Sequence, residues 1–277
     1  MKNYLKSKFD ASNKTVVSVV DELPLWSAPF GQTLFETVNL RPSMKVLDIA
    51  CGTGFPLIEL AGRLGSSSLV YGIDPWKTAT DRIKLKLKTY GIRNVKVINC
   101  IAEKLPFKNN YFDLIVSNNG INNVPDIKSV LSQCRRVIKP GGQFVFTFNL
   151  PKTMSEFYDI FKDVLGELRL IKEIHKLEEH IYDKRKPVSV MDKMLAEADF
   201  LNVKKVRNSF SMRYLNGTAF FNHYPVKLHF LPEWKKILPG NRLEEIFNNL
   251  ENRLNKISEE KGELQLTIPY ICYNIKA

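Results

Sequence analysis

The sequence predicts an α/β fold built on a doubly wound, mostly parallel β-sheet. From residue 44 onward, short and almost continuously apolar runs alternate with helical stretches. Such runs are typical of strands that are buried on both faces of a parallel sheet. The connections between the runs are short, and right-handed crossovers of such units place helices on both faces of the sheet.

Each element follows from the local pattern of apolar residues. The first forty residues are predicted as helix and loop, with Leu34, Phe35 and Val38 on one helical face and with Pro24 and Pro29 as breaks before it. The predicted strands of the sheet are 44–50, 68–74, 95–100, 111–119 and 143–149. The predicted helices between them are 55–64, 78–90 and 127–138, and a KPGG turn precedes the fifth strand. Further along, the pattern predicts helices at 153–181, 188–198 and 243–257 and strands at 202–208 and 264–275.

The composition indicates an ordinary globular chain. Hydrophobic residues make up 44% and charged residues 25% of its 277 residues, which excludes a disordered polymer, a collagen-like fibre and a disulfide-stapled miniprotein. The four cysteines form no C-x-x-C pair, so we predict reduced thiols and no metal site. An apolar stretch long enough for a signal peptide or a membrane span is absent from the sequence, and we expect a cytoplasmic protein without a membrane span.

The formal net charge of +12 has two interpretations. A basic domain is the electrostatic footprint of a protein that binds nucleic acid. A lysine-rich composition throughout the chain gives the same charge without any such partner. The densest basic run, 82–88, alternates its cations with apolar residues, which favours a solvated face of one element.

The most informative motif is VLDIACGTGFP at 46–56. A buried strand that ends in a glycine-rich turn and opens a helix places backbone amides beside a ligand at the sheet's carboxyl edge. Leu57 stands where a G-x-G-x-x-G dinucleotide fingerprint needs its third glycine after Gly52 and Gly54. Asp48 would repel a pyrophosphate but suits a cationic ligand. Both features disfavour a Rossmann oxidoreductase.

This motif resembles motif I of the class I S-adenosylmethionine-dependent methyltransferases, in particular the type 11-like enzymes that act on small molecules. Further segments follow in that family's order: YGIDP with Asp74, IAEKLPF with Ala102 and Glu103, YFDLIVSNNG, IKPGGQFVF and the late LAEADF and LQLTIPYICYNI. The resemblance implies a Rossmann-like sheet of seven strands in the order 3-2-1-4-5-7-6, with an antiparallel seventh strand. It also implies S-adenosylmethionine as cofactor and S-adenosylhomocysteine as product.

The resemblance further implies a set of cofactor-binding residues. In this family, an acid at the position of Asp74 accepts hydrogen bonds from the ribose hydroxyls, and the pair Ala102 and Glu103 borders the adenine. The full predicted set is Trp26, Asp48, Ala50, Cys51, Gly52, Gly54, Asp74, Pro75, Ala102, Glu103, Asn118 and Asn119. We expect residues 1–40 to form an N-terminal helical cap segment, and residues 41–277 to form the methyltransferase domain, with cap insertions at about 152–186 and 210–260.

The acceptor is predicted as a small, apolar or aromatic metabolite, because the segments outside the sheet are rich in aromatic residues. His223 and Tyr224 are candidates to deprotonate or orient an acceptor hydroxyl, although the sequence favours a hydrogen-bonded structural histidine over this role. Two alternatives stay open. The basic charge is compatible with a methyltransferase of RNA or protein, although SNNG differs from the N/D-P-P-Y/F pattern of many amino-methylating enzymes. A non-catalytic cofactor-binding protein would keep the same motifs. The oligomeric state is not predicted.

Overall fold

The structure, a computed structural model, describes residues 2–8, 10–20 and 24–277. Seven strands form one sheet in the order β3-β2-β1-β4-β5-β7-β6. The strands are β1 (Lys45–Ile49), β2 (Leu69–Ile73), β3 (Val95–Ile98), β4 (Phe112–Asn118), β5 (Ile138–Asn149), β6 (Asn202–Tyr214) and β7 (Leu264–Lys276). Strands β1 to β5 pair in parallel, and β7 pairs antiparallel with β5. The predicted fold class and strand order are confirmed.

Twelve α-helices are assigned within the described residues. They are α1 (Asn3–Lys6), α2 (Lys14–Val20), α3 (Pro24–Thr37), α4 (Leu57–Leu64), α5 (Lys77–Tyr90), α6 (Ile127–Val137), α7 (Ser155–Glu167), α8 (Ile171–Lys184), α9 (Val188–Glu197), α10 (Gly217–Asn222), α11 (Leu231–Ile237) and α12 (Leu243–Lys261). Short helical turns of other types lie at Ile121–Asn123, Val226–Phe230 and Gly240–Arg242. In the part of the chain that the structure describes, no helix combines the length and the apolar character needed to cross a membrane.

The chain divides into two compact units. The first, here called the sheet unit, comprises 11–149, 186–208 and 270–277. Its core lies where β1, β2 and β4 meet the helices beside them, and it includes Val46, Leu57, Val70, Leu114, Val116 and Val145. Most residues of β1, β2 and β4 are buried, and because these strands are parallel, their carboxyl ends lie at the same edge of the sheet.

The second unit, here called the helical unit, comprises 1–10, 150–185 and 209–269 within the described residues. Aromatic side chains dominate its core, and the ring of Trp234 lies 4.5 Å from that of Phe157 between centroids. A buried carboxylate, Glu251, ties α1 to α12 and α10 because it accepts hydrogen bonds from the Tyr4 hydroxyl (2.6 Å) and the Thr218 hydroxyl (2.7 Å). The predicted division into a 1–40 cap segment and a 41–277 domain stays a prediction.

Two elements near the N-terminus and the fifth strand differ from the prediction. Pro29 lies inside α3, and Pro24 begins that helix, where a missing N–H group costs nothing. The KPGG segment, predicted as a turn, lies inside β5. The reason is pairing with the end of the chain: the Gly141 amide donates to the Ala277 carbonyl (2.7 Å), and the Ala277 amide donates to the Gly142 carbonyl (3.0 Å).

Two later elements also differ. The single helix predicted at 153–181 is two helices, α7 and α8, because Arg169 adopts a left-handed φ of 56° between them. The strand predicted at 202–208 continues to Tyr214. Half-buried and exposed residues alternate from Phe210 to Tyr214, and this period of two is typical of a strand. The prediction followed the aromatic content of this segment instead of its alternation.

Candidate functional site

The turn between β1 and α4 has an unusual backbone. Ala50, Gly52 and Gly54 all have positive φ angles, of 56°, 52° and 113°. A Cβ atom on Gly52 would meet no atom within 4 Å, whereas one on Gly54 would approach the Ile58 side chain to 2.8 Å. The φ of 113° makes glycine the fitting residue at position 54, while the backbone at Gly52 borders open space. A ligand can approach the chain closely at Gly52.

Asp74 ties this turn to the end of β2. Its Oδ2 atom accepts a hydrogen bond from the Gly52 amide and its Oδ1 atom accepts one from the Trp76 amide, both at 2.8 Å. Burial raises the pKa of Asp74, and the two amide hydrogen bonds oppose that shift. Each carboxylate oxygen can accept more than one hydrogen bond. Asp74 therefore shapes the turn and still has acceptor capacity for ligand hydroxyls.

Asp48 is completely buried in β1. Neither of its carboxyl oxygens has a hydrogen-bond partner among the described residues. Burial, followed by the charge of Asp74, raises the pKa of Asp48 well above its usual value, and the nearby Leu57 amide opposes this only in part. A buried carboxyl without a partner is costly. This arrangement favours a bound cation, because a positive charge beside Asp48 and Asp74 would offset that cost.

Cys51 contributes an uncharged thiol to the turn. Its side chain is buried, and burial, followed by the charges of Asp48 and Asp74, raises its pKa well above the usual value. The thiolate is the nucleophilic form of cysteine. The raised pKa favours the thiol form of Cys51, which is the less nucleophilic one.

The carboxyl end of β4 meets α3 and β5. The Asn118 side-chain amide donates to the Ser27 carbonyl (3.0 Å), and the Thr147 hydroxyl donates to Asn118 Oδ1 (3.1 Å). The same Thr147 oxygen accepts a hydrogen bond from the Asn119 amide (2.8 Å). Thr147 was not among the predicted site residues. Apart from its place in the predicted fifth strand, no feature of the sequence marks Thr147 as a site residue.

Helix α3 lies against the glycine-rich turn. A Cβ atom on Gly31 would come within 2.4 Å of the Phe55 ring, so the turn and the helix are in close contact there. Trp26 lies in the same helix, next to Ser27, and packs edge-on against Phe30 at 5.7 Å between ring centroids. The structure therefore brings the helix that carries Trp26 to the ends of β1 and β4.

The structure gives the remaining predicted cofactor residues, Pro75, Ala102 and Glu103, no contact that assigns them a role. Ala102 is buried and Pro75 is exposed. The Glu103 carboxylate accepts a hydrogen bond from the Asp126 amide at 3.3 Å, at the start of α6. Their contacts with a cofactor stay predictions.

The two candidate catalytic residues belong to the helical unit. His223 follows α10, and its Nδ1 atom lies 3.1 Å from the Tyr214 hydroxyl. Burial lowers the pKa of His223, which is therefore neutral at pH 7. Tyr224 is half-buried beside it. Their roles in catalysis stay predictions.

Comparison with protein families gives a match at the same segment. A family described as "Methyltransferase domain" matches residues 47–146, which run from β1 to β5. A demethylmenaquinone methyltransferase from a Geobacillus strain is 36% identical over 124 residues, which is 45% of this chain and 53% of that protein. One from Staphylococcus aureus is 29% identical over 210 residues, 72% of this chain and 83% of that protein. The chain spans about half the length of the Geobacillus relative it matches.

Solved structures share the fold. The YcgJ protein from Bacillus subtilis superposes with a TM-score of 0.60 at 15% identity, over 90% of this chain and 98% of that chain. A structure described as a putative methyltransferase from Bacillus halodurans has a TM-score of 0.58 at 18% identity, over 89% of this chain and 97% of that chain. At these identities the likeness establishes the architecture.

Proposed function

Because the chain belongs to the class I S-adenosylmethionine-dependent methyltransferases, we propose that it transfers a methyl group from S-adenosylmethionine to a small aromatic metabolite. The product of the cofactor would be S-adenosylhomocysteine. The observation that carries this proposal is the buried, unpartnered carboxyl of Asp48 beside Asp74, at a turn whose Gly52 borders open space.

The residues present fit this cofactor. S-adenosylmethionine is a cation with a sulfonium centre and an ammonium group, and the paired acids Asp48 and Asp74 favour positive charge. Asp74 retains acceptor capacity for two ribose hydroxyls after its bonds to Gly52 and Trp76. The open space at Gly52 lets the ligand approach the backbone without a side chain in the way. In this proposal Ala102 and Glu103 border the adenine.

Bound S-adenosylmethionine supplies a methyl group that is already activated on a sulfonium. The remaining role of the protein is to orient the acceptor, and orientation alone can lower a reaction barrier by roughly 7–11 kcal/mol. No protein nucleophile is needed, which agrees with the protonated thiol of Cys51. A neutral imidazole can take a proton from an acceptor hydroxyl. His223, with Tyr224 beside it, remains the candidate base.

The relatives support the class of acceptor. The proteins from Geobacillus and Staphylococcus aureus are named for action on demethylmenaquinone, a quinone. Together with the aromatic residues of the chain, these names support a small aromatic acceptor of the quinone or quinol type. A macromolecular acceptor remains the alternative that the charge of +12 suggests.

The first experiment is calorimetric titration of the purified protein with S-adenosylmethionine and S-adenosylhomocysteine, with NADH as a control. We expect micromolar binding of the first two and none of NADH. Radiolabelled methyl transfer to quinols, phenols and bulk RNA then separates the acceptor classes. Incorporation into a quinol or phenol supports the proposal, whereas incorporation into RNA alone would replace it with the alternative.

The salt dependence of RNA binding tests whether the net charge of +12 serves a nucleic-acid partner. Binding through phosphate contacts weakens steeply as salt increases, because each contact releases counterions. We expect bulk RNA to bind weakly, with a shallow dependence on salt. A steep slope together with methyl incorporation into RNA would contradict a small acceptor. Binding of S-adenosylmethionine without transfer to any acceptor would favour a non-catalytic protein.

A further inference from the structure

Arg185 is a buried cation in the helical unit whose charge is not balanced. Its side chain follows α8, and the residue is only 4% exposed. Its Nη2 atom donates to the Tyr158 hydroxyl at 3.1 Å, and its guanidinium lies 4.8 Å from the centre of the Tyr158 ring. Its Nε and Nη1 atoms are buried and have no hydrogen-bond partner among the described residues. None of the ion pairs between described residues involves Arg185.

The Tyr158 hydroxyl adds a third donor to this cluster. Its oxygen accepts hydrogen bonds from Arg185 Nη2 and from Trp234 Nε1, each at 3.1 Å. Two accepted bonds use both lone pairs of a hydroxyl oxygen, so its own proton is left to donate. Tyr158 and Trp234 are both buried. The cluster of Arg185, Tyr158 and Trp234 therefore offers several donors and no acceptor.

The neighbouring side chains do not compensate the charge. His180 lies on the same helix, and burial, followed by the charges of Arg185 and Lys184, lowers its pKa to about 4 despite the opposing charges of Glu233 and Asp183. His180 is therefore neutral at pH 7 and adds no positive charge. The carboxylate of Glu233 is bound to the Lys236 ammonium at 2.6 Å. The positive charge of Arg185 stays buried and unpaired.

We propose that the helical unit binds a small-molecule oxyanion, a carboxylate or a phosphate group, at the cluster formed by Arg185, Tyr158 and Trp234. An isolated buried charge is destabilising unless it is paired and hydrogen-bonded. Planar guanidinium donors suit carboxylate and phosphate oxygens, and such charge-assisted bonds are the strong ones. A bound oxyanion would accept hydrogen bonds from Nε and Nη1 of Arg185 and from the Tyr158 hydroxyl. This inference does not depend on methyl transfer.

The test is thermal unfolding of the full chain in sodium phosphate, acetate, benzoate or sulfate, each compared with chloride at equal ionic strength. Ligands that bind only the native state raise the melting temperature. We expect at least one oxyanion to raise it by about 2 °C or more above chloride, the scale of a modest binding free energy in a chain of this size. A response to phosphate alone assigns a phosphate group, and a response to acetate or benzoate assigns a carboxylate.

Variants locate the effect. Arg185→Met should abolish the oxyanion response and, in chloride, should melt at the same or a higher temperature than the wild type, because it removes an unpaired buried charge. Tyr158→Phe keeps the charge and should weaken the response. Arg213→Met is the matched control: it removes an exposed cation of the same unit that is paired with Glu263, and it should leave the response intact.

Several results would overturn the proposal. One is equal melting temperatures of the wild type in all five salts, and another is an oxyanion response that survives in Arg185→Met. If Arg185→Met does not fold, calorimetric titration of the wild type and of Tyr158→Phe with phosphate and benzoate decides instead. Detectable binding heat in the wild type, with an affinity at least about threefold lower in Tyr158→Phe, supports the site. No binding heat in either protein contradicts it.

Discussion

The backbone amide of Gly52 donates a 2.8 Å hydrogen bond to Oδ2 of Asp74, so the turn after β1 and the end of β2 hold each other in place. Gly52 adopts a φ of 52°, which an L side chain rarely adopts. The carboxylate therefore has two roles in one position: it holds a turn whose backbone suits glycine, and it presents acceptor oxygens beside the open space at Gly52. Substitutions at the two positions should separate these roles.

Removal of the Asp74 carboxylate tests its role in binding. Asp74→Ala should weaken the affinity for S-adenosylhomocysteine by about 10- to 100-fold, the loss that corresponds to roughly 1.5–3 kcal/mol for hydrogen bonds to a charged group. The chain should still fold, since the sheet's core does not depend on Asp74. Calorimetric titration measures the affinity, and circular dichroism measures the fold.

Asp113→Ala is the matched control for that variant. Asp113 also binds a backbone amide, that of Lys45 at 2.8 Å, and it also pairs with the Lys139 ammonium at 2.7 Å. It lies at the amino end of β4, opposite the ends where the ligand is proposed. Its loss should reduce stability and leave the affinity unchanged. An unchanged affinity in Asp74→Ala would remove the ribose assignment.

A pair of glycine substitutions separates backbone strain from ligand contact. Gly52→Ala and Gly141→Ala both place a side chain at a positive φ, of 52° and 74°, and neither new Cβ would meet an atom within 4 Å. Each should therefore lose about 1–2 kcal/mol of stability through strain alone. Only Gly52→Ala should also weaken S-adenosylhomocysteine binding, because its methyl group enters the open space. Equal affinities in the two variants would mean that the ligand does not approach Gly52.

Much of the fold could be predicted because its signals are local. The strands β1 to β4 are short and rich in apolar residues. The strand order followed from the resemblance of the motifs between 46 and 146 to those of a known family. The boundary of β5 could not be predicted in this way. Ile138 pairs with Phe112 of β4, and Gly141 and Gly142 each form one hydrogen bond with Ala277; contacts over such sequence distances leave no local signal.

The site was predictable where one residue type is required by backbone geometry. Gly52 and Gly54 have positive φ angles, and Asp74 follows a buried strand, so the sequence marks all three. Thr147 carries no such signal, because a threonine in β5 is an ordinary strand residue until its hydroxyl is seen to join Asn118 and Asn119. The missing partners of Arg185 are likewise visible only once the burial of neighbouring elements is known.

Glu251 should make the helical unit sensitive to acid. Burial alone would raise its pKa, but hydrogen bonds from Tyr4, Thr218 and Lys2 outweigh burial and hold its pKa below the usual value. A carboxyl with a lowered folded-state pKa stabilises the protein above its unfolded pKa, and that contribution is lost as the pH falls through the folded pKa. The wild type should therefore lose stability between about pH 5 and pH 3.

Glu251→Gln tests this assignment. The variant should lose about 2 kcal/mol or more at pH 7, since hydrogen bonds to a charged group are each worth roughly 1.5–3 kcal/mol. The difference in free energy of unfolding between Glu251→Gln and the wild type should become smaller as the pH is lowered from 7 to 3. Denaturant unfolding at several pH values measures both quantities. Glu263→Gln is the control, because that carboxylate is partly exposed and pairs with Arg213 at the surface. A difference that stays constant with pH would contradict the role of the Glu251 charge.

Asp48 should give the stability a pH dependence opposite in sign to that of Glu251. Burial and the charge of Asp74 raise its folded-state pKa well above that of the unfolded chain. Between the two pKa values the native state holds the extra proton, so the ligand-free protein loses stability as the pH rises through this window. Asp48→Asn carries no titrating group at this position. Without ligand, its melting temperature relative to the wild type should therefore increase as the pH rises from 4 to 8.

The same substitution should weaken the ligand-bound state. A cation beside Asp48 offsets the buried negative charge, so Asp48→Asn should bind S-adenosylmethionine at pH 8 at least about 10-fold more weakly than the wild type, which corresponds to the 1.4 kcal/mol of one charge-assisted contact. The variant would then be more stable without ligand and less stable at saturating S-adenosylmethionine. The melting temperatures of Asp48→Asn and the wild type, measured with and without ligand at pH 8, should therefore change order. This change of order would show that the Asp48 carboxyl serves ligand binding and not only the packing of β1. A variant that is destabilised to the same extent under both conditions would assign Asp48 to the architecture of β1 alone.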